Sequence, residues 1–440
     1  MLQVKEKIAY GLGDTASNIV FQTVMLFLAF FYTDIFGLSP AIVGTLFLSI
    51  RVLDAITDPL MGALTDRTRS KHGHFRPYIL WLAIPFGAIS VITFTTPDLG
   101  DTGKVIYAFA TYALLMIAYT AINIPYSALG GALTPNPEER VTVQSYRFTF
   151  GMLGGLLVSA LTIPLVDWLG KGDKALGYQL TMVIMSIAGV VMFFICFYGT
   201  KERVEMPQTN GRPLKADLQL LWRNDQWRVL CAAAFVLLVG MVLRNTLAIY
   251  YVKYYLEQES MITQFITLGM IGNILGCVVS AYAAKRICRI KLYRLLQVIA
   301  GVISAASVLV DSSSLILAFV MHFLWGFFLQ MATPLLWAKM ADVVDYGHVK
   351  TGERLTGVVY STIVFFIKLG LALGGAIAGW LLAFYGYEAD QAQSETVKQG
   401  ILWSFTVFPA LCFFVVAFLM KGYTLNNTKV SELQQSLQTN

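Results

Sequence analysis

Charged residues are scarce in this chain. Only 13% of its 440 residues are Asp, Glu, Lys or Arg, whereas 57% are hydrophobic and the mean hydropathy is +0.65. A water-soluble domain cannot bury that much apolar surface in one core, so the composition excludes a soluble enzyme and indicates a membrane protein. The polar stretches are too short for a large extramembrane domain.

Cysteine and histidine are also scarce. The five cysteines show no metal-ligand spacing, so we interpret them as reduced packing residues. His72 and His74 lie in a basic loop without metal-like partners, and the sequence contains no nucleophile triad, phosphate loop or zinc motif. The net charge of +6 is spread over short clusters between apolar runs, which argues against a nucleic-acid partner. We expect no cofactor.

Long apolar runs separated by polar residues predict twelve membrane-spanning helices, because a helix needs about 20 apolar residues to cross the hydrocarbon. The long polar segment 200–228 divides them into six and six. We therefore expect an all-α membrane protein with two six-helix bundles, 1–199 and 229–421. The segments 200–228 and 422–440 are predicted to be a cytoplasmic linker and a cytoplasmic tail. The spans are predicted at about 9–33, 40–65, 77–97, 104–131, 147–168, 177–199, 229–255, 261–284, 292–310, 313–341, 356–385 and 399–421.

Basic residues predict the orientation. Lys and Arg cluster after the second, sixth and eighth spans, whereas the loops after the first and ninth spans contain neither. By the positive-inside rule, both termini lie in the cytoplasm of a multi-pass protein of the bacterial inner membrane. The polar N-terminus does not resemble a cleavable signal, so we expect the first span to direct insertion.

The second span carries three charges on one helical face. Arg51, Asp54 and Asp58 are spaced by three and four residues. Charges inside a membrane are costly and usually line an interior cavity. Two carboxylates one turn apart need a cation, a proton or a basic partner. We interpret them as a site for a monovalent cation, with a structural ion-pair network centred on Arg51 as the alternative.

Further polar residues in the spans form a candidate substrate site. In the fourth span Tyr119, Thr120 and Asn123 offer hydroxyl and amide groups beside Pro125, which frees a backbone carbonyl. Hydrogen bonding between helices is the alternative role for such groups. Other isolated polar or aromatic candidates are Asp14 and Asn18 in the first span, Arg147 in the fifth, Arg244 in the seventh, Trp337 in the tenth and Lys368 in the eleventh.

Several motifs resemble the glycoside-pentoside-hexuronide:cation symporter family, which is typified by the melibiose permease. The resemblance covers nearly the whole chain in order. It implies a major-facilitator fold and cation-coupled uptake of a glycoside. The motifs are YGLGD at 10–14, FYTDIFGLS at 31–39, RVLDAITDP at 51–59, DPLMGALTDRTRSKHGHFRPY at 58–78, YTAINIPY at 119–126 and MADVVDYGHVKTGERL at 340–355.

The resemblance also implies roles for individual residues. Asp54 and Asp58 match the family's cation-site acids, and Thr120 matches its hydroxyl ligand, so these three would hold Na⁺ if Na⁺ is the coupling ion rather than H⁺. The remaining matches are Arg147 and Lys368 near the sugar, Asp66 and Arg67 in a loop motif that latches the cytoplasmic side, and Asp342 with Asp345 in the opposite half of that latch.

The chain departs from the melibiose permease type at four positions. Ser17 and Asn18 replace a Lys-Asp pair, Asn123 replaces an Asp, and Ser127 replaces a Trp. An amide can still accept from and donate to sugar hydroxyls, so we expect a glycoside. Because two sugar-binding carboxylates of the family have become amides, we expect a pentoside or another glycoside rather than a galactoside. The expected partners are this sugar, a monovalent cation and membrane lipid, and we expect a monomer. The alternatives are a lysolipid or amphiphile transporter on the same fold, a drug-proton antiporter, and a membrane sensor of sugars that does not transport.

Overall fold

The computed structural model describes residues 2–204, 214–387 and 393–439. These residues are almost entirely helical. Two π-helical segments, Val24–Leu28 and Phe31–Ile35, extend the first helix, and a third, Tyr251–Tyr255, extends the eighth. The α-helices are α1 (Val4–Thr23), α2 (Pro40–Arg67), α3 (Arg76–Thr93), α4 (Asp101–Ala132), α5 (Pro137–Gly170), α6 (Lys174–Gly199), α7 (Leu214–Trp222), α8 (Asp225–Tyr250), α9 (Ile262–Arg286), α10 (Arg289–Ala306), α11 (Leu315–Thr351), α12 (Thr356–Tyr385), α13 (Glu395–Leu419) and α14 (Asn427–Thr439).

Twelve of these helices correspond to the predicted spans. In the described part of the chain, ten are long and apolar enough to cross a membrane by length and composition. The other two are α1 and α2. With 28 residues α2 is about 42 Å long, so it exceeds the hydrocarbon thickness, and it contains the whole span that the sequence predicts at 40–65.

Local sequence signals set several helix ends. Ser39 and Asn136 accept hydrogen bonds from the first backbone N–H groups of α2 and α5, and a proline follows each of them at the first helical position. Gly352, with φ of 76°, ends α11 in the left-handed conformation that glycine tolerates best. The polar residues and glycines that separate the apolar runs therefore form the caps of these helices.

The structure differs from the sequence prediction outside the apolar runs. The start of α5 lies ten residues before the predicted span and the end of α11 lies ten residues after it, because hydropathy does not detect helical turns that carry several polar residues. Within the predicted linker and tail, α7 and α14 form short helices. The helix α4 runs without interruption through Pro125, which has no N–H group to donate to the carbonyl four residues earlier.

The chain forms two compact units. The first comprises Met1–Leu218 and Glu353–Ser361, and the second comprises Gln219–Gly352 and Thr362–Asn440. In the first unit α1 packs on α5 and α6, and α2 packs on α4; in the second, α9 packs on α11, and α13 packs on α8 and α10. The domain boundaries at 199 and 229 stay predictions.

The two units share a backbone feature at the ends of the first and seventh spans. In each, one N–H group donates to the carbonyl five residues earlier, and the N–H two residues later donates to the carbonyl six residues earlier. The two units therefore share this backbone feature at the ends of corresponding spans, as expected of an internal structural repeat. The donor and acceptor pairs are Phe36 with Phe31, Leu38 with Tyr32, Leu256 with Tyr251, and Gln258 with Val252.

Candidate cation and substrate site

Two carboxylates of α2 lie buried against α4. Asp54 is 3% exposed and Asp58 is fully buried, and the hydroxyl Oγ1 of Thr120 donates to Oδ1 of Asp58 over 3.0 Å. Because helix residues four apart share a face, both acids point to the same side of α2. The three residues predicted to form the cation site are thus brought together, whereas the side chain of Arg51 lies outside those that the structure describes.

A chain of hydrogen bonds joins α1, α4 and α5 inside the same unit. Nε of Arg147 donates to Oδ1 of Asp14 over 2.9 Å, and Nη2 of Arg147 donates to Oγ of Ser127 over 3.0 Å. At one end, Nδ2 of Asn18 donates to Oδ2 of Asp14 over 3.3 Å. At the other, Oγ of Ser127 donates to Oδ1 of Asn123 over 3.5 Å. Four predicted substrate residues therefore form one polar wall.

The helix α4 connects this polar wall to the carboxylates. Thr120 and Asn123 are three residues apart, which places them about 4.5 Å apart along the helix axis and on neighbouring positions of one face. Tyr119 is half-buried, and its ring stacks on Phe21 with centroids 5.2 Å apart. An aromatic face thus lies next to the amide and hydroxyl groups.

Small residues allow the helices of the wall to approach closely. A Cβ on Gly151 of α5 would overlap the carboxylate of Asp14 and lie 3.0 Å from Nδ2 of Asn18. The absence of a side chain there lets α5 approach α1 closely enough for Arg147 to reach Asp14. Close packing of small residues is the usual way in which membrane helices meet.

Tyr126 braces the same region. Its ring stacks on Tyr10 with centroids 4.7 Å apart, and the guanidinium carbon of Arg147 lies 5.0 Å from the Tyr126 centroid. The two tyrosines also exchange hydrogen bonds, since each hydroxyl donates to the backbone carbonyl of the other residue. Arg147 is therefore fixed by an ion pair, a hydroxyl and an aromatic face, which holds its side chain in one position.

The remaining predicted residues lie in the second unit. Trp337 on α11 and Lys368 on α12 are both half-buried. Arg244 on α8 is fully buried, donates to Oγ of Ser304 over 2.8 Å and to the carbonyl of Phe405 over 3.1 Å, and lies over the Phe405 ring. These contacts give Arg244 a packing role in the bundle.

The family model described as MFS/sugar transport protein matches residues 9–427 of the chain. The chain belongs to this family. Among relatives of the transporter, the inner membrane symporter YicJ of Escherichia coli (strain K12) is 42% identical over 98% of this chain and 94% of its own length. The isoprimeverose transporter of Lactiplantibacillus pentosus is 34% identical over 99% of this chain and 92% of its own length. Membership of the glycoside-pentoside-hexuronide:cation symporter family is confirmed, and the chain is not an enzyme.

Solved structures confirm the fold of the transporter. The fucose:proton symporter FucP of Escherichia coli superimposes with a TM-score of 0.67, over 96% of this chain and 97% of that chain. At 13% sequence identity this likeness concerns the fold alone. The predicted class, an all-α membrane protein of the major-facilitator type with two six-helix bundles, is therefore confirmed.

Asp66 of the transporter holds the first turn of α12 within the first unit. Its two carboxylate oxygens accept the N–H groups of Gly357 over 2.5 Å and of Val358 over 3.0 Å. An anion at this position satisfies donors that the helix itself leaves unpaired and interacts favourably with the helix dipole. Arg67 lies beside it and pairs with Asp217 of α7 over 3.3 Å, with 38% of the Arg67 side chain exposed.

The loop after α2 has a second anchor. Glu202, which follows α6, accepts the backbone N–H groups of His74, Phe75 and Arg76 over 2.9, 2.8 and 3.0 Å. His74 lies outside the spans, and its partial burial lowers the pKa of its imidazole, which favours the neutral form. A carboxylate on three consecutive N–H groups fixes the start of α3 and thereby the loop that carries the latch motif.

In the second unit the predicted latch acids lie on α11. Asp342 pairs with Arg289 of α10 over 3.1 Å, and both side chains are buried. Asp345 is 2% exposed one turn further along the helix. Lys339 is buried beside them, and its Nζ donates to the carbonyl of Arg289 over 3.4 Å. A compact group of four buried charges thus stands at this end of the bundle.

Sequence reasoning missed several of these residues. Ser127 was noted only as a departure from the family pattern, yet it connects Arg147 to Asn123. Lys339 carried the same signal as Lys368, a single base in an apolar run, and that signal could have identified it. Glu202 had no signal in the sequence, because its partners are backbone groups more than 120 residues away.

Proposed function

We propose that this chain is a secondary active transporter of the bacterial inner membrane, which couples uptake of a glycoside or pentoside to a monovalent cation by alternating access. The observation that carries the proposal is the buried pair Asp54 and Asp58, with the Thr120 hydroxyl on Asp58, one helical turn from a polar wall. Buried acids inside a membrane protein usually mark an ion path. The coupling ion is Na⁺ or H⁺.

The acid pair supplies the driving force for cation binding. Two carboxylates four residues apart on a helix lie about 6 Å apart, and at an effective dielectric of about 20 their repulsion is about 3 kcal/mol. A cation bound between the two carboxylates offsets this repulsion and is coordinated by a charged oxygen from each of them. The Thr120 oxygen keeps lone pairs for the cation while its hydrogen bonds to Asp58.

The polar wall is suited to the hydroxyl groups of a sugar. Asn18 and Asn123 each offer donor and acceptor atoms, and the Asp14 carboxylate with the Arg147 guanidinium offers a charged acceptor next to a planar donor. Tyr119 supplies a ring face for the apolar side of the sugar. This polarity favours a sugar over a lysolipid or another amphiphile. Trp337 and Lys368 stay predicted substrate residues.

Coupling follows from the shared helix. Sugar bound at Asn123 and a cation bound at Thr120 act on adjacent turns of α4, so each ligand helps to order the other's site. Sugar alone would leave two repelling charges buried, which disfavours the closure that moves it across the membrane.

Asp66, Arg67, Asp342 and Asp345 are proposed to control closure on the cytoplasmic side, with both termini on that side. The Asp66 carboxylate would have to release Gly357 and Val358 for the start of α12 to move. We call these two hydrogen bonds from Gly357 and Val358 to Asp66 the clasp. Because they are charge-assisted, they are strong, yet they can break when α12 moves. We also propose that the transporter works as a monomer.

The experiment that tests the function is uptake into proteoliposomes with and without a Na⁺ gradient, at several pH values, using a panel of glycosides and pentosides. A symporter accumulates one sugar only when the cation gradient is present. Accumulation that ignores both Na⁺ and pH would contradict the proposal. Thermal stabilisation by the same sugars, which reaches about 2.7 kcal/mol at a concentration 100 times Kd, identifies the substrate independently of transport.

A further inference from the structure

A groove in the second unit lies outside the proposed transport site. It runs between the first turns of α10 and the last turns of α13 and has a volume of about 440 Å³. Three cations, Lys291, Arg294 and Lys421, surround its polar end, and the side chains of Leu295 and Phe418 form part of its apolar wall. None of the described residues that line it is acidic.

The polar end of the groove is suited to a phosphate group. Lys291 and Lys421 are exposed, so neither ammonium is committed to the interior of the bundle. Nε of Arg294 is buried and, among the described residues, has no hydrogen-bond acceptor. An anion with several oxygens would pair with the two exposed ammonium groups and with the part of the Arg294 guanidinium that lines the groove.

The apolar end of the groove is suited to an acyl chain. Lys291, Arg294, Leu295 and Val298 recur at helical spacing on one face of α10, and Val298 lies about 10 Å along the axis from Lys291. Leu295 is 49% exposed and Phe418 is 66% exposed, so this apolar surface is accessible to an acyl chain. A free phosphate would contact the cations only and would leave this apolar surface uncovered.

The groove also lies at the correct depth in the membrane. Lys291 is close to the start of α10, and Lys421 follows the last residue of α13, so both stand where a span leaves the hydrocarbon. The basic loop between α9 and α10 places this end on the cytoplasmic side by the positive-inside rule. Basic grooves between spans on that side bind anionic lipid headgroups.

We propose that this groove binds one anionic phospholipid of the cytoplasmic leaflet. The phosphate lies among Lys291, Arg294 and Lys421, and the first methylenes of an acyl chain lie along Leu295 and Phe418. The inference concerns lipid binding only and does not depend on the transport function.

The test is native mass spectrometry of the full chain in detergent, titrated with phosphatidylglycerol or phosphatidylcholine. Phosphatidylglycerol should be retained more strongly. The triple variant Lys291→Gln, Arg294→Gln, Lys421→Gln should lower its apparent affinity about hundredfold, because each cation near a lipid headgroup contributes about fivefold. The single variant Lys421→Gln, at an exposed helix end, should lower it about fivefold and covers the case in which the triple variant does not fold.

A matched control removes three cations of the same unit that lie outside the groove, with Lys285→Gln, Arg286→Gln and Lys429→Gln. These residues are exposed, so the control changes the net charge equally. Retention of phosphatidylglycerol by the control supports the groove. Equal loss in both triples, no preference between the two lipids, or displacement of phosphatidylglycerol by millimolar inorganic phosphate would each overturn the proposal.

Discussion

Replacing Asp58 by Asn separates sugar movement from cation coupling. Asn keeps the shape of the side chain and an oxygen that can accept from Thr120, but it removes the charge that would attract the cation. One charge that moves through 100 mV is worth about 2.3 kcal/mol, which corresponds to about 50-fold accumulation of the sugar. Asp58→Asn should reduce the accumulation ratio from about 50 to about 1.

The same substitution should still give a folded protein. Because Asn keeps the shape of the side chain and an oxygen that accepts from Thr120, the variant should show a single cooperative melting transition in the absence of substrate. Loss of accumulation together with an intact melting curve would locate the defect in coupling rather than in folding.

The assay uses proteoliposomes with an imposed potential of about 100 mV and radiolabelled sugar, and it compares accumulation with downhill exchange. Asp98→Asn is the matched control, because it makes the same chemical change at an exposed position of the same unit. Wild-type accumulation by Asp58→Asn would refute the assignment of the acid pair to cation coupling. Loss of accumulation in the control would show that the readout is not specific.

Three further predictions concern the polar wall and the clasp. Asp14→Asn or Arg147→Gln should lower the free energy of unfolding by about 3–5 kcal/mol, because each leaves one buried charge without its ion-pair partner. Asp66→Asn should change turnover by about tenfold without changing the cation affinity, since it weakens two hydrogen bonds to the start of α12. Gly151→Ala should cost about 1–3 kcal/mol, because its methyl group would overlap the Asp14 carboxylate.

Each of these predictions has a control and an opposing result. Changing both Asp14 and Arg147 should restore much of the stability that either single variant loses. If thermal melts showed single variants as stable as the wild type, a strong ion pair would be ruled out. Asp98→Asn, at an exposed position of the same unit, should leave turnover unchanged, whereas wild-type turnover in Asp66→Asn would contradict the role of its two hydrogen bonds to α12. Gly44→Ala, whose Cβ meets nothing within 4 Å, should leave the free energy of unfolding unchanged. If Gly151→Ala also left it unchanged, that result would contradict the close approach of α5 to α1.

Contacts between distant segments of the chain could not be predicted from the sequence. The pairing of Asp14 with Arg147 joins positions 133 residues apart, and Asp66 reaches backbone groups 291 residues further along the chain. Neither partner could be deduced from spacing within one span. The extensions of α5 and α11 could not be predicted for a different reason, since hydropathy detects apolar runs and not helical turns that bury polar side chains.

The sequence by itself determined that the protein lies in a membrane, how many spans it has, and that the two acids lie on one face of α2. These properties depend only on composition and on the helical repeat. The tertiary structure alone decided which polar groups meet. It placed Ser127 between Arg147 and Asn123, and it put α5 close enough to α1 for an ion pair. Such contacts depend on how closely helices pack, which small residues such as Gly151 permit but do not specify.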